Sequence, residues 1–489
     1  MLKVKTLKVN YILNISRTVL SRLIGLLVFQ YVNKTLGVDA VGKYEYANSI
    51  ITYFVLFSSL GIPMYGIREI ARVRDNELIR TKVFLELLSI LLLTTIISYL
   101  LLFFLIFNIN SLNNYKEILI LISPLIFLTN IGVEWFFQGI EDQLYITVRF
   151  IIIKAITLTL LFLLVKTEND VLTYAAIMTF STAGSNIFNF FYIKKFINLA
   201  LIKFKDLNIK KHLKGILTIF LATISVSIYI QMDNTLLGYL VGDKYVGLYS
   251  TSNKLIRFAI LFITTLGSVM LPRLSNLYEN KDFKSYNTYL EKTLKYILFL
   301  SIPISVIFFS FSDYIIEFMA GKEFLGSIIP MKILSPLVVI IGLAYFLAFM
   351  VLYPQGEERL YTLVVFISAI ISIVLNIIFI PKYFHFATAW VNLIVEFLAV
   401  IIMIIMTKKQ LLKINFFSFN NIYYFIGGLL MYGFIVSINH INNIYLISLI
   451  CCCSFIIYLS FLYLVKESII IENINKIKNY LKKLKWTYQ

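Results

Sequence analysis

Charge is scarce in this chain. Of its 489 residues only 14% are Asp, Glu, Lys or Arg, whereas 60% are hydrophobic. A soluble domain carries roughly 25% charged residues, so this composition excludes an ordinary water-soluble fold. Cysteine is nearly absent as well: the three present, Cys451, Cys452 and Cys453, are adjacent within one apolar run. They fit neither a disulfide framework nor metal-ligand spacing and read as small apolar residues of a helix. The three histidines, His212, His385 and His440, are far apart at loops or span ends, with no carboxylate or cysteine at ligand spacing. There is no phosphate-binding loop, no Gly-rich dinucleotide fingerprint and no attached soluble domain. A catalytic centre, a bound cofactor and ATP hydrolysis are therefore not expected. The driving force must come from an ion gradient, from consumption on the far side, or from another protein.

What the chain does hold is length in apolar runs. These extend over roughly 17–25 residues, the length that carries a helix across a hydrocarbon core of ~30 Å. A β-barrel would show short alternating segments, which continuous runs such as Leu87–Phe107 exclude. The first apolar stretch lacks a polar cleavage region and reads as a membrane span, not a removable signal. The expected fold is an all-α polytopic membrane protein of about fourteen spans.

The net charge of +18 invites a nucleic-acid reading, but the placement of the charges argues otherwise. Alternate loops separate by charge. One set holds the N-terminal tail, the loop after span two with Arg68, Arg72 and Arg74, the stretch Lys194–Lys214, the loop with Arg273 and Lys281, Lys408–Lys413 and the C-terminal tail. It contains about 31 of the 44 Lys and Arg, against about 7 in the opposite set. Lys/Arg-rich loops face the cytoplasm, so both termini are expected there. Anionic-lipid contact follows as a by-product.

An internal repeat is visible. Gly37, Val41, Gly42, Tyr44, Asn48, Ile51 and Phe57 recur as Gly242, Val246, Gly247, Tyr249, Asn253, Ile256 and Phe262, at a constant offset of 205. The copies lie at spans two and eight, six helices apart, so the halves share one orientation. Parallel repeats of this kind place the substrate between the halves. The expected organisation is an N-lobe over 1–193, a basic cytoplasmic linker over 194–213 and a C-lobe over 214–406. An extra hairpin (spans thirteen and fourteen) with a basic tail occupies 407–489.

Ionisable groups at membrane depth are costly and usually face a cavity or a partner. Span one carries Asn14, Arg17, Thr18, Ser21, Arg22 and Gly25 within an arc of about 140°. Arg17 can snorkel to the surface, whereas Arg22 lies another ~7.5 Å deeper. A start nearer Val19 would make both ordinary interface anchors. On span eight, Ser250, Asn253, Lys254, Arg257, Thr264 and Ser268 fall within about 100°. This face reads either as cavity lining or as structural ion bridges with Asp233 or Glu396. The first-lobe positions matching Lys254 and Arg257 are Ser49 and Thr52; Asn48 matches Asn253. Asp233, Glu134 and Glu396 (one turn after Asn392) either couple transport to an ion or neutralise the arginines. A cavity lined by Arg17, Arg22, Lys254 and Arg257, with Asn14, Ser21, Asn48 and Asn253 as polar lining, suits an anionic group. Guanidinium forks bind phosphate oxygens in bidentate fashion. A lipid-linked pyrophosphate with a polar sugar head fits, its tail passing between the lobes; an organic cation would be repelled.

Three segments carry a family resemblance: LGVDAVGKYEYANSIITYFVLFSSLGIPMYGIREIARVR over 36–74, EWFFQGIEDQLYITVRFIIIK over 134–154, and MDNTLLGYLVGDKYVGLYSTSNKLIR over 232–257. On these the chain resembles the polysaccharide transporter (Wzx-type oligosaccharide flippase) family of the multidrug/oligosaccharidyl-lipid/polysaccharide superfamily, over most of residues 10–406. The resemblance implies two six-helix lobes, alternating access and a cationic lumen. It also implies translocation of an undecaprenyl-pyrophosphate-linked oligosaccharide from the cytoplasmic to the outer leaflet, for O-antigen, capsule or exopolysaccharide. A polysaccharide polymerase and glycosyltransferases are the expected protein partners, with the flippase itself a monomer in contact with membrane lipids. Many members stop at twelve spans, and the segment after Thr407 departs from that. One rival is a lipid-linked peptidoglycan precursor flippase, which shares the cationic cavity. A multidrug/cation antiporter would need a carboxylate-rich lobe, and a glycosyltransferase or polymerase a carboxylate site in a substantial loop.

Overall fold

The structure is a computed structural model describing residues 7–414, 416, 418–438 and 444–474. His440 and the basic tail over 475–489 lie outside the described residues. Every regular element among the described residues is helical. Eight helices are long and apolar enough to cross a membrane, or nine if one bent pair is counted as a span. Two of the eight are 54-residue runs, 20–73 and 358–411, each long enough to cross twice. Exposed apolar faces run along them; on 92–107, for example, Leu93, Ile96, Leu100, Phe104 and Phe107 are all exposed. An apolar band of that extent has lipid as its solvent. The chain is an all-α, multi-pass membrane protein.

It divides into two compact units, residues 1–250 with 319–323, and residues 251–318 with 324–489. The first unit opens with α1 (Leu7–Ser59), which runs through spans one and two and is interrupted at Gly37, where φ is 73° and ψ 179°. Next come α2 (Ile62–Val73), α3 (Glu77–Asn108), α4 (Lys116–Ile122), α5 (Pro124–Ile131), α6 (Glu134–Gly139) and α7 (Gln143–Leu164). Then follow α8 (Val171–Thr179), α9 (Asn186–Tyr192), α10 (Lys210–Leu240) and the start of α11 (Asp243–Glu279). The rest of α11 belongs to the second unit, with α12 (Phe283–Ser310), α13 (Ser312–Met319), α14 (Ile328–Leu334) and α15 (Leu337–Tyr345). That unit continues through α16 (Glu358–Lys413), α17 (Ile422–Ser437) and α18 (Ile444–Leu464). The helix α16 breaks at Phe384, which takes a left-handed φ of 53°.

Local chemistry accounts for the main boundaries. Gly61, at φ 74°, turns the chain out of α1, and Pro63 then sits in the first turn of α2, where a missing N–H costs nothing. Asn76 starts α3 by accepting the Ile79 N–H at 3.1 Å, and Asp142 starts α7 through the Tyr145 N–H. The stretch expected as a basic loop after span two is the helix α2. Its Ile62, Tyr65, Gly66 and Ile70 are buried on one face, while Arg68 and Arg72 point outward. That face packs on Trp135, Phe136 and Phe137 of α6 and on Phe84, Leu87 and Leu91 of α3, forming the core of the first unit. Thus the first two segments of the resemblance meet in space, and Arg74 closes the contact with a 2.7 Å ion pair to Glu141.

Candidate functional site

Glu134 is the centre of a charged cluster in the first unit. It begins α6 directly after Val133, whose left-handed backbone (φ 39°) separates α6 from α5. One carboxylate oxygen accepts from Arg17 at 3.0 Å and from Gln138 at 3.3 Å; the other accepts from Arg149 at 3.2 Å. Arg149 of α7 is buried and reaches the Asn186 side-chain oxygen at 3.3 Å with its other terminal nitrogen. Its Nε is buried and has no hydrogen-bond partner among the described residues. The α9 end is fixed by Asn189, which donates to the Gly132 carbonyl at 2.6 Å. A β-carbon at Gly132 would overlap Asn186, so glycine is what allows this approach. One turn and a half further along α7, Lys154 donates to Ser181 at 2.7 Å, on the π-helical turn Phe180–Gly184.

Two residues expected at the site therefore come together: Arg17 as a cavity cation and Glu134 as a charge partner. Glu134 neutralises arginine in this structure, one of the two roles open to it from sequence. Asn14 lies on α1, but its side chain is outside the described residues. Ser21 is half-buried and Arg22 exposed. Arg149 and Lys154, not among the residues expected at the site, both stand in the quoted segment 134–154. The signal was there, two cations inside the apolar run of α7.

On α11, Lys254 is exposed, and Asn253 and Arg257 are half-buried. The Asn253 amide oxygen is buried without a hydrogen-bond partner among the described residues. Asp233, on α10 in the first unit, is buried and accepts from the Tyr249 hydroxyl. Glu396 is half-buried on α16 and Asn392 is buried one turn before it. Asn48 is half-buried, and its carbonyl accepts from Thr52 at 2.7 Å.

The repeat has a physical counterpart. Gly37 and Gly242 both take left-handed φ, at 73° and 97°, and each stands at a break between two helices. Five residues on, Gly42 and Gly247 lie against carbonyl groups: a β-carbon at Gly42 would overlap the Asp243 oxygen, and one at Gly247 the Val38 oxygen. Adding the offset of 205 to 38 and 42 gives 243 and 247, so the two contacts are images of each other. Both lie in the first unit.

Chemically, the first-unit cluster offers guanidinium donors that a carboxylate holds in place. Such donors suit phosphate or carboxylate oxygens. Among the described residues no group of three or more His, Cys, Asp and Glu could hold a metal ion.

Comparison with known proteins gives consistent relatives. A family described as polysaccharide biosynthesis protein matches residues 7–278, more than half of the chain, and the MatE family matches 218–381. A Shigella dysenteriae protein named "Putative O-antigen transporter" is 24% identical over 385 residues, covering 78% of this chain and 94% of its own. An Escherichia coli (strain K12) protein of the same name is 20% identical over 362 residues, covering 72% and 85%. Among solved structures, one described as lipid II flippase MurJ in an inward closed conformation superposes with a TM-score of 0.71. It is 18% identical, covering 94% of this chain and all of that one. An inward-facing multidrug resistance MATE family transporter of the MOP superfamily gives 0.63 at 12% identity, covering 81% and 96%. These two likenesses concern the fold.

Proposed function

The chain belongs to the polysaccharide biosynthesis protein family, and from that premise we propose that it is a flippase for an undecaprenyl-pyrophosphate-linked oligosaccharide. It carries the repeat unit from the cytoplasmic to the outer leaflet of the cytoplasmic membrane, with both termini on the cytoplasmic side. The chain crosses about fourteen times; lobes over 1–193 and 214–406 are joined by the linker 194–213 and followed by the hairpin region 407–489. The reading is supported by the first-unit cluster, in which Arg17 and buried Arg149 share Glu134, and separately by the cations Lys254 and Arg257 on α11. Arg17, Arg22, Lys254 and Arg257 bind the pyrophosphate, and Asn14, Ser21, Asn48 and Asn253 line its path. Glu134, Asp233 and Glu396 set the charge balance, and rocking of the lobes near Pro63, Pro124 and Pro272 releases the sugar outward. The flippase works as a monomer and hands its cargo to a polymerase after glycosyltransferases have built it.

The test is deletion of the gene with mass analysis of lipid-linked glycans and staining of surface polysaccharide. An unpolymerised lipid-linked repeat accumulating on the cytoplasmic side, with loss of surface glycan, is the expected result. A second reading, a lipid-linked peptidoglycan precursor flippase, is favoured by the likeness to the lipid II flippase fold. Accumulation of that precursor with intact surface glycan would select it. Unchanged lipid pools together with new sensitivity to cationic drugs would overturn both.

A further inference from the structure

The segment between α9 and α10 is not a slack tether. Three side chains at the beginning of α3 hold it. Arg80 donates to the Phe196 carbonyl through Nε at 3.1 Å and Nη2 at 2.6 Å. Thr81 accepts the Asn198 N–H at 3.3 Å. Glu86 accepts the Asn208 N–H at 2.7 Å and pairs with Lys211 and His212 at 2.8 and 2.9 Å. All three anchors are buried. They fix the segment at both of its ends and leave a space between it and α3.

That space is a cavity of about 240 Å³. Its walls are hydrocarbon: Leu85 and Leu88 from α3, Phe190 from α9, and Ile197, Ile202 and Leu207 from the segment itself. The single charged residue in its lining is Lys194, which is exposed. Lys195, next in sequence, is exposed and has its ammonium over the Tyr192 ring, 4.8 Å from the centroid, outside the lining. An apolar cavity of this size excludes water and takes apolar ligands, and left empty it forfeits the dispersion contacts of its walls. Polar anchors at both ends prevent collapse. The chain spans a membrane, so the hydrocarbon at hand is a lipid chain, and α9 also exposes the apolar Ile187 and Phe191.

We propose that this crevice binds an anionic phospholipid of the bilayer, one acyl chain between α3 and the 197–207 segment and the phosphate against Lys194. Charge complementarity selects the headgroup. Basic pockets at helix ends attract anionic lipids, and a lysine meets a single phosphate as a compact point charge where arginine would favour bidentate geometry. None of the charged groups of the Glu134 cluster lines the crevice, although Val133 does, and the phospholipid is bound there whatever cargo the protein moves elsewhere.

The experiment uses the full-length protein reconstituted in phosphatidylcholine vesicles with and without phosphatidylglycerol. After gentle detergent extraction, native mass spectrometry counts retained lipid. The wild type should keep one phosphatidylglycerol per chain. Leu88→Trp, which fills the crevice, should lower retention about tenfold. Leu207→Trp fills it from the less constrained wall and gives the same readout if the first variant fails to fold. Lys194→Glu should keep the chain contact but lower the preference for phosphatidylglycerol over phosphatidylcholine by about fivefold. Absence of retained lipid on the wild type, or undiminished retention in whichever tryptophan variant folds, would overturn the site. Displacement of the phospholipid by added polyprenyl phosphate at equal concentration would overturn it as well, assigning the crevice to a cargo tail.

Discussion

The two copies of the internal repeat begin alike and end with different chemistry. Residues 37–57 and 242–262 share a left-handed glycine, a second glycine against a carbonyl, and a tyrosine and asparagine at matching places. At the next positions they part. In the first copy Ser49 is fully buried, its hydroxyl on the Tyr46 carbonyl at 2.7 Å and 2.9 Å from Thr235. Thr52 bonds back to its own helix. In the second copy the same positions are the exposed Lys254 and the half-buried Arg257. Backbone geometry is thus duplicated while charge is not. Duplication fixes the helix start, and each copy's neighbours decide whether a side chain is sealed in or left accessible.

The largest effect is expected when the second copy's residue is placed in the first. Ser49→Lys would bury a charge among tightly packed groups, which costs several kcal/mol. It should abolish accumulation of folded protein, read by fluorescence-detected size exclusion. The reverse exchange tests function. Arg257→Thr with Lys254→Ser should leave folding intact and lower transport by about 100-fold or more, the effect of losing about 3 kcal/mol of charge-assisted bonding. Flux of a lipid-linked oligosaccharide in reconstituted vesicles measures it, and wild-type flux would remove these cations from the pathway.

The glycine pair sharpens the likeness in place of the difference. Gly42→Val and Gly247→Val each push a side chain into a backbone carbonyl, so each should destabilise the protein by about 3 kcal/mol. Because the contacts are images, the two melting shifts should be similar; a large shift in one alone would contradict the symmetry. The smallest effect is expected outside both copies. Asp170 accepts the backbone N–H groups of Lys166 and Thr167 at 2.9 and 2.8 Å ahead of α8, and these bonds hold its carboxyl below the usual range. Its contribution is present above about pH 4 and is lost as pH falls through the lowered folded value. Asp170→Asn should therefore reduce stability slightly at neutral pH, and the difference from wild type in thermal melts should shrink under acid.

Much of this molecule was legible in the sequence. Run length and scarcity of charge gave the all-α membrane class, because lipid leaves helices few alternatives. The repeat stood out through glycines whose backbone duties hold at both places. Arg17 and Glu134 were both singled out, but their pairing was not, since 117 positions separate them. Arg149 escaped notice because a cation in the middle of α7 gains its meaning from Glu134, across the left-handed turn at Val133. Helix α2 was hidden by its arginines, which read as a basic loop although Ile62, Tyr65 and Ile70 were spaced to be buried. The break in α16 was legible as a turn between two spans, because its run is too long for one crossing, but the residue that makes it was not. Phe384 is not a residue type that favours left-handed backbone, and only its surroundings impose it.

The anchoring of the segment after α9 bears on covalent continuity. Arg80 and Thr81 hold residues 196 and 198, while Glu86 holds 208, 211 and 212. Each end of the segment is thus fastened to the same helix, independently of the peptide bonds between them. A chain opened at 202–203 would keep both new termini docked on α3. Fragments 1–202 and 203–489, synthesised separately, should find each other and rebuild the first unit. Glu86→Ala, by releasing the second fragment's start, should be what keeps them apart.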